Sequence, residues 1–357
     1  LFPDAEAPRG PSFPKGPSVE SSFMRRSLLP LVVLASWLGG LQASAQTHWT
    51  TPTLPNGQPD LQGTWENNSA TPLERPVQLA GKPLLSEEEV AAMETRAAQL
   101  FGAEADATFG DAIYLAVLAG NRPRSVFPTG TYSQNWVPPR YFERRTSLIE
   151  DPADGRLPPL TPQALERRAA NAAALPPRAR GAADFSLADR CITFGVPDLF
   201  AAYMSVYRIF QTADHVVIQM EKIHDTRVIP LHGRPHVSPA IRHYLGDSRG
   251  RFEGDTLIVE TTNFHSAGNH MGGYFRYADE NLRLTERFTR VSDDTLRYEF
   301  TVDDPTVWTR PWTAAIYWKK SGGPIYEYAC HEGNYSLPGM LSAARAEEAA
   351  GADSSTR

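Results

Sequence analysis

The sequence has few cysteines, no excess of basic residues and none of several familiar catalytic motifs. Lys and Arg total 35 against 41 Asp and Glu, and the formal net charge is -6 at pH 7. Because nucleic-acid-binding proteins normally carry a basic patch, this balance predicts no nucleic-acid partner. The chain also lacks a phosphate-binding glycine loop, a His-Glu-x-x-His motif and a Cys-x-x-Cys pair. These absences disfavour nucleotide chemistry and zincin mechanisms.

The two cysteines, Cys191 and Cys330, are far apart in the sequence. In an oxidising compartment they can form a disulfide that ties the middle of the chain to its end. The alternative is two unpaired thiols buried as small apolar side chains. The sequence favours the disulfide, because free thiols are uncommon in exported proteins.

Residues 24–45 have the organisation of a secretory signal peptide. The basic start MRR is followed by the apolar residues 28–38 and then by the small-residue site ASA at 43–45. This pattern predicts cleavage after Ala45 and a periplasmic or secreted protein with no stable membrane anchor after cleavage. Residues 1–23, rich in Pro, Ser and Gly, are interpreted as upstream translation without a structural role; the alternative is a disordered leader.

The remainder of the chain divides into three predicted regions. Residues 46–200 hold most of the 30 prolines and are expected to form an extended and helical segment that packs on a β-barrel core at 201–345. Within the first region, Ser86 caps a helix that runs to about Leu100, and Pro162 begins a helix that continues through Ala174. Residues 346–357 are expected to be a disordered tail.

Strand periodicity dominates from residue 203 onward. Residues 296–302 (LRYEFTV) alternate apolar and polar side chains, which is typical of a strand with one buried face. Further strands are predicted at 216–228, 256–264, 282–289, 312–318 and 325–330. Short turns between them indicate an antiparallel meander that closes as a barrel or packs as a sandwich. The predicted fold class is therefore mainly β.

Several phrases carry resemblances to known proteins. The sequence GTW at 63–65, ahead of a β-meander, resembles the Gly-x-Trp start of lipocalin-type (calycin) barrels. Residues 59–65 (PDLQGTW), 145–152 (RTSLIEDP), 254–261 (GDTLIVET), 309–312 (TRPW) and 327–332 (EYACHE) resemble a large family of secreted, functionally uncharacterised bacterial proteins. The second resemblance covers most of the chain. It implies an exported protein that forms a single domain, and it implies no activity.

Two side chains stand out as candidate catalytic groups. In the strand predicted at 282–289, Glu286 lies on the apolar face with Leu284 and Phe288. A carboxylate there needs a partner or a raised pKa, so Glu286 is either a general acid or base or the partner of an inward arginine, Arg227 or Arg310. His331, which follows the strand predicted at 325–330, is expected to point inward at the barrel mouth.

The strand predicted at 216–228 is polar on both faces. Glu221, Asp225 and Arg227 lie on one side, and Lys222 and His224 on the other. Such a strand suits a sheet with a hydrated or ligand-filled interior, although an exposed edge strand is an equally simple explanation. Nearby tryptophans and tyrosines would line such a cavity, if they are not simply core residues.

Three functions follow as hypotheses. The leading one is an exported lyase, isomerase or hydrolase that performs acid–base chemistry on a small organic or sugar-derived substrate. Its site would use Glu286 and His331 with His224, Asp225 or Arg227. The rival is a periplasmic lipocalin-like protein that binds an apolar or aromatic ligand.

The third hypothesis is a metalloprotein, because eight of the nine histidines fall in the β-rich half and histidine is the commonest metal ligand. The candidate ligands are His224, His265, His270 and His331. No cofactor is predicted, but a divalent metal is possible; the spacing of these histidines matches no familiar ligand pattern.

Overall fold

The computed structural model describes residues 49–355, apart from 103–107, 109, 123–132, 135–136, 175–177, 200, 202 and 266–279. Its strands are β1 (Gly63–Glu66), β2 (Ile149–Asp151), β3 (Val206–Gln211), β4 (His215–Met220), β5 (Thr226–Pro230), β6 (Asp247–Glu253), β7 (Thr256–Thr262), β8 (Arg283–Arg290), β9 (Thr295–Asp303) and β10 (Trp312–Lys320). Its α-helices are α1 (Glu87–Leu100), α2 (Ala112–Ala119), α3 (Pro162–Ala174) and α4 (Ser336–Ser355).

The strands form one antiparallel sheet in the order β5-β4-β3-β1-β10-β9-β8-β7-β6, with β2 paired beside β10. Two meanders, β3 to β5 and β6 to β10, are therefore joined by β1, which pairs with β3 on one side and with β10 on the other. The sheet curls into a nearly closed barrel of nine strands. The predicted mainly β, barrel-like fold is confirmed.

The alternation of side chains along the strands explains the core. In β9, Tyr298, Phe300 and Val302 are buried, while the residues between them are partly exposed. Aromatic rings from neighbouring strands then fill the interior. Tyr207 stacks on Trp318 with 4.1 Å between ring centroids and 4° between planes, and Phe288 stacks on Tyr298. A barrel of this size needs such side chains to fill it.

The barrel closes where β5 approaches β6. Gly250 faces the interior here, and a Cβ atom at this position would lie 2.8 Å from Cγ2 of Ile229 and 2.9 Å from Cδ2 of Leu231. Arg227 of β5 also donates a hydrogen bond to the Ser248 hydroxyl of β6. The absence of a side chain at Gly250 therefore lets the two end strands pack together.

Both helix predictions in the N-terminal half are confirmed. Ser86 caps α1 through a capping box in which the Glu89 carboxylate accepts from the Ser86 backbone N–H, and α3 begins at Pro162. The division at residue 201, however, does not separate a wrapping segment from the barrel. Strand β1 belongs to the region 46–200, yet it pairs with β3 on one side and with β10 on the other. Its Trp65 is buried in the barrel core.

Three predicted elements are wrong. Residues 216–228 form two strands, β4 and β5, since the chain reverses at Ile223 and His224, where φ is 52° and 56°. Residues 325–330 form no strand; β10 is already paired with β9 on one edge and with β1 and β2 on the other, so no edge remains for them. The predicted disordered tail instead contains the C-terminal part of α4, whose alanines and glutamates favour helix.

Within the described part of the chain, no helix combines the length and the apolar character needed to cross a bilayer. The predicted signal peptide at 24–45 and the preceding residues 1–23 lie outside the described residues.

Replacing Gly250 by Ala is expected to destabilise the protein by about 1–3 kcal/mol, because a methyl group there overpacks the closure between β5 and β6. Gly322→Ala is the matched control, since a Cβ atom at Gly322 meets nothing within 4 Å. Urea denaturation measures both free energies of unfolding. Equal values for the two variants would show that the end strands do not pack as described.

Candidate functional site

A segment of irregular chain, residues 191–199, packs into the barrel interior; we call it the plug segment. Val196 and Leu199 join the hydrophobic core, and Asp198 is buried among barrel residues. The segment is covalently held, because Cys191 and Cys330 form a disulfide with a Cα–Cα distance of 5.7 Å. The disulfide predicted from the sequence is confirmed, and it also pulls the chain after β10 toward the plug segment.

A buried ion pair spans the interior between β5 and β8. Arg227 Nη1 donates to Glu286 Oε1 at 2.8 Å, and Arg227 Nη2 donates to Glu286 Oε2 at 2.5 Å. Tyr298 adds a third hydrogen bond, from its hydroxyl to Glu286 Oε1 at 2.8 Å. Arg227 also donates to the hydroxyls of Ser248 and Thr261. With only 1% of Glu286 exposed, the carboxylate is committed to these partners.

A second buried ion pair anchors the plug segment. Lys222 Nζ donates to Asp198 Oδ2 at 2.6 Å, and the Tyr207 hydroxyl donates to the same oxygen at 2.8 Å. Burial lowers the pKa of Lys222 and raises the pKa of Tyr207 well above its usual range. Because a lone buried charge is costly, Asp198 and Lys222 hold the plug and the barrel together.

Asp225 holds the plug segment from the barrel side. Its Oδ2 accepts a hydrogen bond from the Thr193 hydroxyl at 2.7 Å and another from the backbone N–H of Phe194 at 3.0 Å. Burial raises the pKa of Asp225 to about 6, although these two hydrogen bonds oppose the shift. Asp225 therefore titrates close to neutral pH, as proton-transfer groups in proteins often do.

The inner cavity lies among these groups and has a volume of only about 30 Å³. Its walls include Asp198, Asp225, Glu286 and Trp318. A volume of this size accommodates roughly one water molecule. The barrel interior is thus a packed and charge-paired core, and it has no room for a drug-sized ligand.

A larger cavity of about 460 Å³ borders the plug segment at Phe194, beside the disulfide. We call it the outer pocket. It is lined by Ala188, Asp189, Phe194, Tyr203, Met204, Tyr328, Ala329, Cys330, Glu332, Gly333, Asn334, Ser336, Leu337 and Met340. Phe194 connects the two sites, since its ring lines the outer pocket and its backbone N–H binds Asp225.

Aromatic rings form the apolar wall of the outer pocket. The Tyr328 ring makes an edge-to-face contact with Phe194 at 6.5 Å between centroids and 81° between planes. It makes a second such contact with Tyr203 at 6.4 Å and 85°. The perpendicular rings therefore present both faces and edges along one wall.

The structure brings together some of the sequence-predicted site residues and separates others. Glu286 and Arg227 form the buried pair; the other proposed partner of Glu286, Arg310, instead binds Asp151 at the surface. His331 is exposed, so the inward orientation expected for it is wrong, because the strand that would have turned it inward does not form.

The remaining candidates also differ in position. His224 is exposed in the turn between β4 and β5, next to Asp225. His265 is half-buried and packs near the Tyr244 ring at 5.1 Å. His270 lies outside the described residues. Within the described residues, no group of three or more His, Cys, Asp or Glu side chains is arranged to hold a metal ion.

One motif escaped the sequence-based argument. Residues 246–250 (GDSRG) have the Gly-x-Ser-x-Gly spacing of a nucleophile elbow, which in hydrolases places the serine on a strand-to-helix turn. Here Ser248 lies within β6, and its hydroxyl is buried between Arg227 and Thr261 at 3.0 and 2.9 Å. The spacing reflects the closure of the barrel, since Gly250 permits that closure, and Ser248 is a structural hydrogen-bonding residue.

Removing one partner of the Arg227–Glu286 pair is expected to be strongly destabilising. Glu286→Gln should cost about 3–5 kcal/mol, because it leaves the Arg227 charge uncompensated in the core. The double variant Arg227→Met with Glu286→Leu should cost less than Glu286→Gln alone. Glu253→Gln is the control: it disrupts an exposed pair with Arg251 and should cost less than about 1 kcal/mol. Chemical denaturation that gives equal losses for Glu286→Gln and Glu253→Gln would contradict this.

The raised pKa of Asp225 predicts a pH dependence of stability. Since the folded protein binds this proton more tightly than the unfolded chain, the stabilisation is complete below pH 3.8 and is lost as pH rises through about 6. Asp225→Asn keeps an oxygen that can accept from Thr193 and Phe194 but cannot ionise. From pH 4 to pH 7 the variant should gain about 2 kcal/mol relative to the unmodified protein. Unfolding midpoints compared across this range measure the gain; a difference independent of pH would contradict it.

Comparison with known proteins yields no assignment: no family model, no curated protein and no solved structure matches the chain. The resemblances to secreted bacterial proteins and to lipocalin-type barrels therefore stay predictions from the sequence.

Proposed function

We propose that the chain is an exported binding protein that holds a small aromatic or apolar molecule in the outer pocket. The observation that carries the proposal is the volume of about 460 Å³ beside the perpendicular rings of Phe194, Tyr203 and Tyr328. Ligand pockets typically have volumes of about 300–1,000 Å³ and combine apolar and aromatic walls with a few polar groups.

The proposed ligand position differs from that in a lipocalin. A lipocalin-type barrel holds its ligand inside, but the interior of this barrel is filled by stacked rings and by the plug segment. The buried charges named above are already paired, Arg227 with Glu286 and Lys222 with Asp198. The outer pocket is therefore the better ligand site.

Export is part of the proposal. The pattern at residues 24–45 is that of a signal peptide, and the resemblance to secreted bacterial proteins supports the same location. The Cys191–Cys330 disulfide is compatible with it, because such bonds persist in oxidising compartments. We infer a periplasmic or secreted protein.

Binding can be tested with 4-tert-butylphenol, a neutral aromatic probe, by isothermal titration calorimetry. We expect saturable binding by the full chain with its disulfide intact and a loss of at least about fivefold in affinity for Tyr328→Ala, which removes the central ring. Tyr335→Ala is the matched control, since Tyr335 is 83% exposed and does not line the pocket. Absence of saturable binding, or equal affinities of the two variants, would refute the site.

A second candidate function is an acid–base enzyme, and the pKa of Asp225 near 6 favours it. Asp225 lies behind Phe194 and could accept a proton from a substrate that enters through the outer pocket and displaces the plug. In this version Arg227 and Glu286 fix the site and transfer no proton, because each is bound by the other. His224 and His331 are exposed and would act only at the rim.

The enzyme version is tested by incubating the protein with the small molecules that co-purify with it and following their conversion by mass spectrometry. A base with a pKa of about 6 requires a rate that rises with pH through that value. Asp225→Asn should abolish conversion and leave binding intact. No conversion at any pH, or an unaltered rate in Asp225→Asn, would eliminate this candidate.

A further inference from the structure

The outer pocket has an acidic rim. Two of its lining residues, Asp189 and Glu332, are carboxylates, and the described lining includes no Lys, Arg or His. Both carboxylates are exposed, so they act on a bound molecule through their charge and do not need to contact it. From this charge and the aromatic wall together we infer that the ligand is a small organic cation, an aromatic or alkyl ammonium compound. The inference rests on the proposed binding function.

The aromatic wall independently favours a cation. The face of a Phe or Tyr ring carries negative electrostatic potential and attracts an ammonium group. Phe194, Tyr203 and Tyr328 border one cavity, and the edge-to-face contacts of Tyr328 with the other two keep the rings perpendicular. Cavities lined by several aromatic rings are sites at which proteins recognise quaternary ammonium groups.

Positive groups near the outer pocket oppose the inference. The first residue of α4, Ser336, borders the pocket, and a helix N-terminus carries the equivalent of about half a positive charge. Lys222 Nζ lies 5.5 Å from the Phe194 ring, but it is fully buried and paired with Asp198. Arg190 and His331 stand next to Asp189 and Glu332 in the sequence but do not line the pocket, so the two carboxylates are the charged side chains of its described lining.

Three probes of similar shape and different charge separate the effect of ligand charge on affinity from the effect of ligand shape. The compounds are 4-hydroxyphenyltrimethylammonium, 4-tert-butylphenol and 4-hydroxybenzenesulfonate, which place a cationic, a neutral and an anionic tetrahedral group on the same phenol ring. At pH 7 and low salt we expect the cation to bind about fivefold to tenfold more tightly than the neutral probe, and the anion to bind most weakly. The advantage of the cation should shrink at 0.5 M NaCl, because the rim is exposed.

Variants of the rim complete the test. Glu332→Gln and Asp189→Asn should each weaken binding of the cation by about twofold to fivefold and leave the affinity for 4-tert-butylphenol unchanged. Glu327→Gln is the control, an exposed carboxylate outside the pocket. If the neutral probe binds and the cation binds no better, the charge inference fails and the binding function survives. If none of the three probes binds, both fail.

Discussion

Paired buried charges hold the barrel and the plug segment together. Arg227 and Glu286 bring two ionised groups into a core of stacked rings, and such a pair is tolerated when each charge faces an opposite charge and further hydrogen bonds support it. Tyr298 donates a further hydrogen bond to Glu286, and the hydroxyls of Ser248 and Thr261 accept from Arg227, whose Nε has no hydrogen-bond partner among the described residues. The pair also joins β5, at one end of the sheet, to β8, which is third from the other end.

The same principle fixes the plug segment. Asp198 can be buried in the barrel because Lys222 and Tyr207 donate hydrogen bonds to its carboxylate. Asp225 in turn accepts a hydrogen bond from the backbone N–H of Phe194. The disulfide at Cys191 fastens the start of this segment to the chain after β10. The interior is thereby closed to ligands, and the residues that line the outer pocket are brought to one place from distant parts of the sequence.

Local patterns predicted much of the fold and little of the site. Alternation placed Glu286 on the buried face of β8 correctly, and the Ser86 capping box located α1. The reversal at Ile223 and His224 has no glycine or proline to mark it, so the sequence predicts one strand where β4 and β5 form two. Asp198 and Lys222 could not be paired from the sequence, because only the folded barrel brings the plug segment to them. The orientation predicted for His331 is wrong for a similar reason, because it depends on whether an edge of β10 is free to pair with the following chain.

In this protein the barrel is filled by its own side chains, and the proposed ligand lies outside it, against the plug segment. A crystal structure of the complex with 4-hydroxyphenyltrimethylammonium distinguishes the two locations. We expect the ammonium group among the rings of Phe194, Tyr203 and Tyr328, with Asp198 still bound to Lys222. Density for the compound inside the barrel next to Trp318, with the plug segment displaced, would contradict it.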